Sequence, residues 1–102
     1  MVEIIWRPEA HENLMDVFLT IAEDNVRAAE RVVREIEERV RLLARNPRMG
    51  VRRPWIGSSA RILVRGVYVI VYEIKPDTDD GVVDEVDVIS IVHGHRDMTS
   101  MF

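Results

Sequence analysis

Residues 67–74, VYVIVYEI, constrain the fold of this chain more than any other stretch. Every position but Glu73 is apolar or aromatic. In an extended strand successive side chains alternate between faces. Val67, Val69 and Val71 therefore point one way, and Tyr68, Ile70, Tyr72 and Ile74 the other. A strand apolar on both faces belongs inside a sheet that is covered on both sides. The β-branched and aromatic bias favours a strand over a short buried helix. A second strand-like run ends at Arg65-Gly66, so residues 60–75 predict a hairpin at the centre of the core. Each Val or Ile fully buried there contributes about 1.5–3 kcal/mol. The roles of Arg61 and Arg65 are not set by the hairpin pattern.

The rest of the chain supplies what covers that hairpin. Residues 2–6 predict a first strand, and Pro8 suits the opening turn of a helix, where its missing N–H costs nothing. Ala10, Leu14, Val17, Phe18, Ile21 and Ala22 then share one helical face. Asp24-Asn25 supplies turn and N-cap chemistry before a second helix over residues 26–45. Its apolar face is Ala29, Val32, Val33, Ile36, Val40 and Leu43. Glu30–Arg34, Glu35–Arg39 and Glu37–Arg41 are spaced as i,i+4 ion pairs with the acid first. Asn46-Pro47 ends that helix. A basic loop with two prolines and two glycines, residues 47–59, leads into the hairpin. The acidic turn PDTDDG follows at 76–81, and residues 86–92 predict a last strand. The order is β-α-α-β-β-β, an α+β fold in which an antiparallel meander sheet packs against an antiparallel helical hairpin.

At 102 residues the chain predicts a single domain over residues 1–102, large enough for one core. It has no cysteine, so neither disulfides nor thiolate ligands are available. Charge and proline arrive too early for a signal peptide, and no apolar run approaches a membrane span. A cytoplasmic protein is expected. The net charge of −4 is strongly segregated: residues 1–26 carry −5, residues 27–66 carry +7, and residues 67–102 carry −6. The basic middle suits a polyanion or an acidic partner peptide. A salt-bridged helix surface accounts for many of the same arginines. Thirteen arginines to one lysine favour bidentate pairing over proton transfer.

Several stretches taken in order resemble the ParE/RelE superfamily of toxins from type II toxin–antitoxin pairs, and ParE more than RelE. They are Trp6 with Pro8-Glu9-Ala10, Ile21-Ala22-Glu23-Asp24-Asn25 followed by Ala28-Ala29, and Leu43 through Asn46-Pro47 to Gly50 and Arg53-Pro54. Arg61 leading into Tyr68-Val69-Ile70-Val71-Tyr72 follows, then Val92-His93-Gly94-His95-Arg96-Asp97. The set runs almost end to end. The resemblance implies a toxin that inhibits DNA gyrase by binding and is neutralised by a cognate antitoxin. It implies no cofactor, no membrane partner and no sequence-specific DNA binding of its own. The RelE branch implies instead cleavage of mRNA on the ribosome. A family member that only binds antitoxin is a third reading.

Two sets of chemistry follow. Cutting RNA needs a base for the 2′-hydroxyl, an acid for the leaving oxygen and cations on the phosphate. Arg52, Arg53, Arg61 and Arg65 are candidate phosphate ligands, and His93 or His95 candidate proton carriers. A structural turn around Gly94 accounts for the two histidines equally well. His93, His95 and Asp97 are too few for a structural zinc, and no metal is expected. Binding without catalysis requires only surfaces. For the target the resemblance points to the C-terminal strand end and tail, with Arg61, His93, His95, Arg96, Asp97, Met98, Met101 and Phe102 as candidates. For the antitoxin the candidates are Leu14 and Phe18 on the helical hairpin, Arg52, Arg53, Trp55 and Ile56 in the basic loop, and Arg65.

Overall fold

The structure is a computed structural model that describes residues 2–94. Seven elements follow one another: β1 Glu3–Trp6, α1 Pro8–Ala22, α2 Val26–Leu42, β2 Val51–Arg52, β3 Arg61–Arg65, β4 Tyr68–Lys75 and β5 Glu85–His93. They form a five-stranded sheet in the order β1-β5-β4-β3-β2, with both helices packed on one face.

The predicted α+β sandwich is present, and β3, β4 and β5 form the expected antiparallel meander. Two features depart from the expectation. β1 runs parallel to β5, pairing Glu3 with Glu85 through Trp6 with Val88, so the sheet is mixed. The basic loop contributes a short edge strand, β2, antiparallel to Arg61 and Ile62. Neither pairing is encoded in a local pattern. Both are partner choices between segments distant in sequence.

β4 sits at the centre of the sheet and is covered on both sides, as its composition demands. Ile70, Tyr72 and Ile74 join Ala10, Leu14, Val17, Ile36, Val40 and Leu43 beneath the helices. Val69 and Val71 face the other way, into a smaller cluster with Ala60, Ile56, Ile62, Ile89 and Val92. The loop over residues 53–60 covers this second face by folding Ile56 onto it. A bulge in β5 makes this possible: Val71 pairs with Ser90 but Tyr72 pairs with Val88, leaving Ile89 without an opposite residue. The extra residue reverses the alternation. Val86, Val88 and Ile91 therefore all face the helices, while Ile89 and Val92 face the loop.

Local chemistry sets most element ends. Asn25 caps α2 by accepting a hydrogen bond from the Ala28 N–H at 3.0 Å. α2 stops three residues before the predicted end. Leu43, Ala44 and Arg45 each donate to the carbonyl three residues back, so the last turn tightens ahead of Asn46-Pro47. The hairpin turn is Gly66-Val67 rather than Arg65-Gly66, with β4 beginning at Tyr68. Gly66 has φ of 62°, and among the described residues no non-glycine residue, Val67 included, has positive φ, which is the type II′ arrangement.

One charged cluster lies within the sheet. Asp87 is 2% exposed, between β1 and β4. Its Oδ2 accepts from Arg7 at 2.9 Å and pairs with Lys75 at 3.0 Å, while Oδ1 is buried without a partner. Burial opposes ionisation of Asp87, but hydrogen bonds from Glu85, Arg7 and Lys75 outweigh it and hold its pKa below the ordinary 3.8. Glu85 moves up, chiefly through its hydrogen bond to Asp87 and then through burial. A lowered carboxylate pKa stabilises the fold fully above the unfolded value and loses that contribution as pH falls through the folded one. Glu85 acts in the opposite sense, its contribution fading as pH rises through its folded pKa. Asp87→Ala should lower Tm at pH 7 by about 10 °C. It should also flatten the acid limb of a Tm–pH profile below about pH 4, measured by circular dichroism.

Candidate functional site

The basic loop is anchored from beneath by Tyr72. Its ring lies in the core, and its hydroxyl donates to the Pro47 carbonyl at 2.9 Å and accepts from the Gly50 N–H at 2.8 Å. Burial pushes the phenol pKa up, so it stays protonated and able to donate. A Cβ at Gly50 would stand 2.5 Å from that oxygen and 2.7 Å from the Ile62 carbonyl, so only glycine passes here.

Arginines of the loop reach the acidic turn. Arg52 makes a bidentate pair with Asp77 at 2.9 and 3.1 Å and touches Asp79 at 3.5 Å. The bond to Asp77 raises the Arg52 pKa. Arg48 donates to the carbonyls of Thr78 and Asp80, both at 2.8 Å. Arg61, 6% exposed, approaches Asp77 at 3.8 Å while its Nε is buried and unpartnered. Part of the basic block seen in the sequence is thus neutralised by the acidic turn within the chain. Beyond them Trp55 is 60% exposed, with the Arg53 guanidinium 5.3 Å from its ring centre. Ile56, beside it, packs inward. The loop offers a cationic aromatic knob held on a packed base.

The residues named for phosphate chemistry are divided. Arg61 pairs with Tyr72 and Arg65 with Tyr68, four residues apart on β3, about 13 Å along the strand. Arg65 is bound to Glu35 at 2.6 Å. His93 lies opposite Tyr68, with the rings edge to face at 5.7 Å, in a cleft with Asn13, Asp16 and Thr20 of α1. One row across the sheet therefore holds Arg65, Tyr68 and His93, while Arg61 and Arg52 belong to the other end. Gly94 donates to the Val67 carbonyl at 2.7 Å and closes the end of the sheet. His95, Arg96, Asp97, Met98, Met101 and Phe102 lie outside the described residues. Among the described residues no three metal-ligand side chains cluster, and no helix is long and apolar enough to cross a membrane.

The helical hairpin carries an apolar cleft of about 280 Å³ lined by His11, Leu14, Met15, Phe18 and Val33. Leu14 forms its buried floor, Phe18 is half-buried, and Met15 and Leu19 stand 58% and 55% exposed. Sequence reasoning named Leu14 and Phe18 but missed Met15, Leu19 and Val33. The signal was available: Met15 and Leu19 are apolar residues off the core-facing stripe of α1. The expected ion pairs along α2 are also corrected. None of Glu30–Arg34, Glu35–Arg39 or Glu37–Arg41 closes to 4.0 Å, and Glu35 turns to Arg65 instead. A cross-element partner competes for the same carboxylate.

Comparison with known proteins bears on this geometry. The family described as "ParE toxin of type II toxin-antitoxin system, parDE" matches residues 4–98. Among solved structures, a chain of the "Chromosomal ParDE TA system from P. aeruginosa" superposes with a TM-score of 0.71 at 20% identity. That match covers 91% of this chain and 96% of the other. At that identity the likeness speaks to the fold. No curated protein sequence matches.

The loop anchoring makes a prediction of its own. Asp77→Asn should release Arg52 and speed limited trypsin digestion after Arg48 and Arg52 by about fivefold, while Tm moves by less than about 3 °C. Unchanged digestion would mean that the Arg52–Asp77 pair does not hold the loop.

Proposed function

The chain belongs to the ParE toxin family of type II toxin–antitoxin systems, and on that premise we propose that it acts by binding DNA gyrase and is neutralised by a cognate antitoxin in the cytoplasm. The observation that carries this reading is the disposition of the arginines. RNA cleavage needs cations preorganised around one phosphate. Here Arg52 is held by Asp77, Arg61 is buried toward the same carboxylate, and Arg65 is held by Glu35. Arg61 and Arg65 also lie at opposite ends of one strand. That arrangement favours action through a surface over action as a ribonuclease.

The target surface is proposed at the end of β5, where His93 meets Tyr68. It continues into His95, Arg96, Asp97, Met98, Met101 and Phe102. Arg61, being buried, supports the fold beneath rather than touching the target directly. The antitoxin surface is proposed on the helical hairpin, where Met15, Leu19 and the cleft between Leu14 and Phe18 leave apolar area uncovered. Arg53 and Trp55 extend it at the loop. An antitoxin segment pairing apolar with acidic residues matches both features.

The direct test is plasmid supercoiling by purified gyrase with increasing full-length protein. Inhibition with accumulation of linear DNA, reversed by the antitoxin, is expected. No effect at micromolar excess would contradict the proposal. Trp55→Ala should weaken antitoxin binding at least about tenfold while shifting Tm by less than about 2 °C. Equal losses in a titration and a melt would make Trp55 a packing residue.

A further inference from the structure

A groove of about 730 Å³ lies between the second half of α2 and Arg65 of β3. Four arginines line it, Arg39, Arg41, Arg45 and Arg65, against Glu35 and Glu38. This is a local charge of +2 on a chain whose net charge is −4. Among the described residues only Arg65 of the four has an ion-pair partner. Arg39 Nε is buried without a hydrogen-bond partner. Arg41, at the end of α2, and Arg45, in the tightened turn that follows, bring two further like charges to the same groove. Leu42, 43% exposed, adds an apolar contact to the same wall.

We propose that this groove seats an acidic, leucine-compatible segment of a protein partner, and that Glu35 on Arg65 is a built-in competitor that the partner's carboxylate displaces. The inference rests on the proposed antitoxin partnership and deepens it by naming the chemistry of one contact and what regulates it. The guanidinium fork matches a carboxylate in bidentate geometry, and the unpartnered Arg39 Nε is a donor awaiting an acceptor. An incoming carboxylate also offsets the like charges of Arg41 and Arg45. A nucleic-acid backbone fits less well, because it offers only charge to a wall that also presents the exposed apolar side chain of Leu42. Glu35 is the residue that distinguishes this device from a plain basic patch. It already occupies one of the four cations, so a partner must exchange one ion pair for another, which lowers affinity and rejects weakly acidic segments.

The test uses the full chain and a fluorescein-labelled peptide with one leucine flanked by glutamates, read by anisotropy. A lysine analogue and a labelled single-stranded oligonucleotide serve as competing probes. The acidic peptide should bind, with affinity falling as salt rises. Arg39→Gln with Arg45→Gln should weaken it about tenfold, and Glu35→Gln should strengthen it about threefold. Both variants should melt within a few degrees of the parent, since none of the three residues is in the core. Unchanged binding in the double arginine variant would overturn the groove. No gain in Glu35→Gln would overturn the competitor. Tighter binding of the oligonucleotide would replace the acidic peptide with a nucleic acid. Supercoiling assays on the same proteins separate the two levels. Failure of the parent to inhibit gyrase counts against the proposed target and leaves the peptide result standing. A failed peptide assay beside retained inhibition and reversal counts against this groove alone.

Discussion

The hydroxyl of Tyr72 is the interaction through which the core of this protein reaches its surface. The ring belongs to the central strand and is fully buried, yet its oxygen joins the Pro47 carbonyl to the Gly50 N–H. A buried phenol needs such partners, because an unpaired polar group in the interior costs about 1–3 kcal/mol. Satisfying it fixes where the chain must pass after α2. β2 can then pair with β3, Arg52 meets Asp77, and the segment carrying Trp55 and Ile56 folds across the second face of β4. β4 is therefore apolar on both faces for two different reasons. One face receives the helices, and the other receives the loop that Tyr72 secures.

Charge is used in a similarly divided way. The arginines nearest the sheet are consumed internally, by Asp77, Glu35 and the carbonyls of the acidic turn. Those on the second half of α2 are not. The result is a protein of negative net charge with a positive groove and a cationic aromatic knob, which suits selection of an acidic protein partner better than generic attraction to a polyanion.

The features legible in the sequence were those encoded locally. The hairpin, the apolar faces of both helices and the Asn25 cap follow from periodicity and from one side chain's reach. Features that depend on a choice between distant partners were not legible. β1 lies beside β5 because the two edges meet in space, and nothing in residues 2–6 names that neighbour. The bulge at Ile89 appears in sequence as an unbroken apolar run, and only pairing with β4 shows where the alternation reverses. Glu35 had Arg39 one turn away and took Arg65 instead. The candidate surfaces divide along the same line. Trp55 stood out as a large apolar residue in a basic loop and Phe18 came with the apolar face of α1, whereas the groove of Arg39, Arg45 and Arg65 exists only once β3 is laid beneath α2.

The proposed role requires that this chain act by forming a complex rather than by cutting a substrate. Isothermal titration of the full-length protein into purified gyrase tests that most directly. A saturable complex of fixed stoichiometry, abolished when the protein is first mixed with its antitoxin, is the predicted result. The absence of binding heat, together with cleavage of ribosome-bound mRNA by the same preparation, would contradict it.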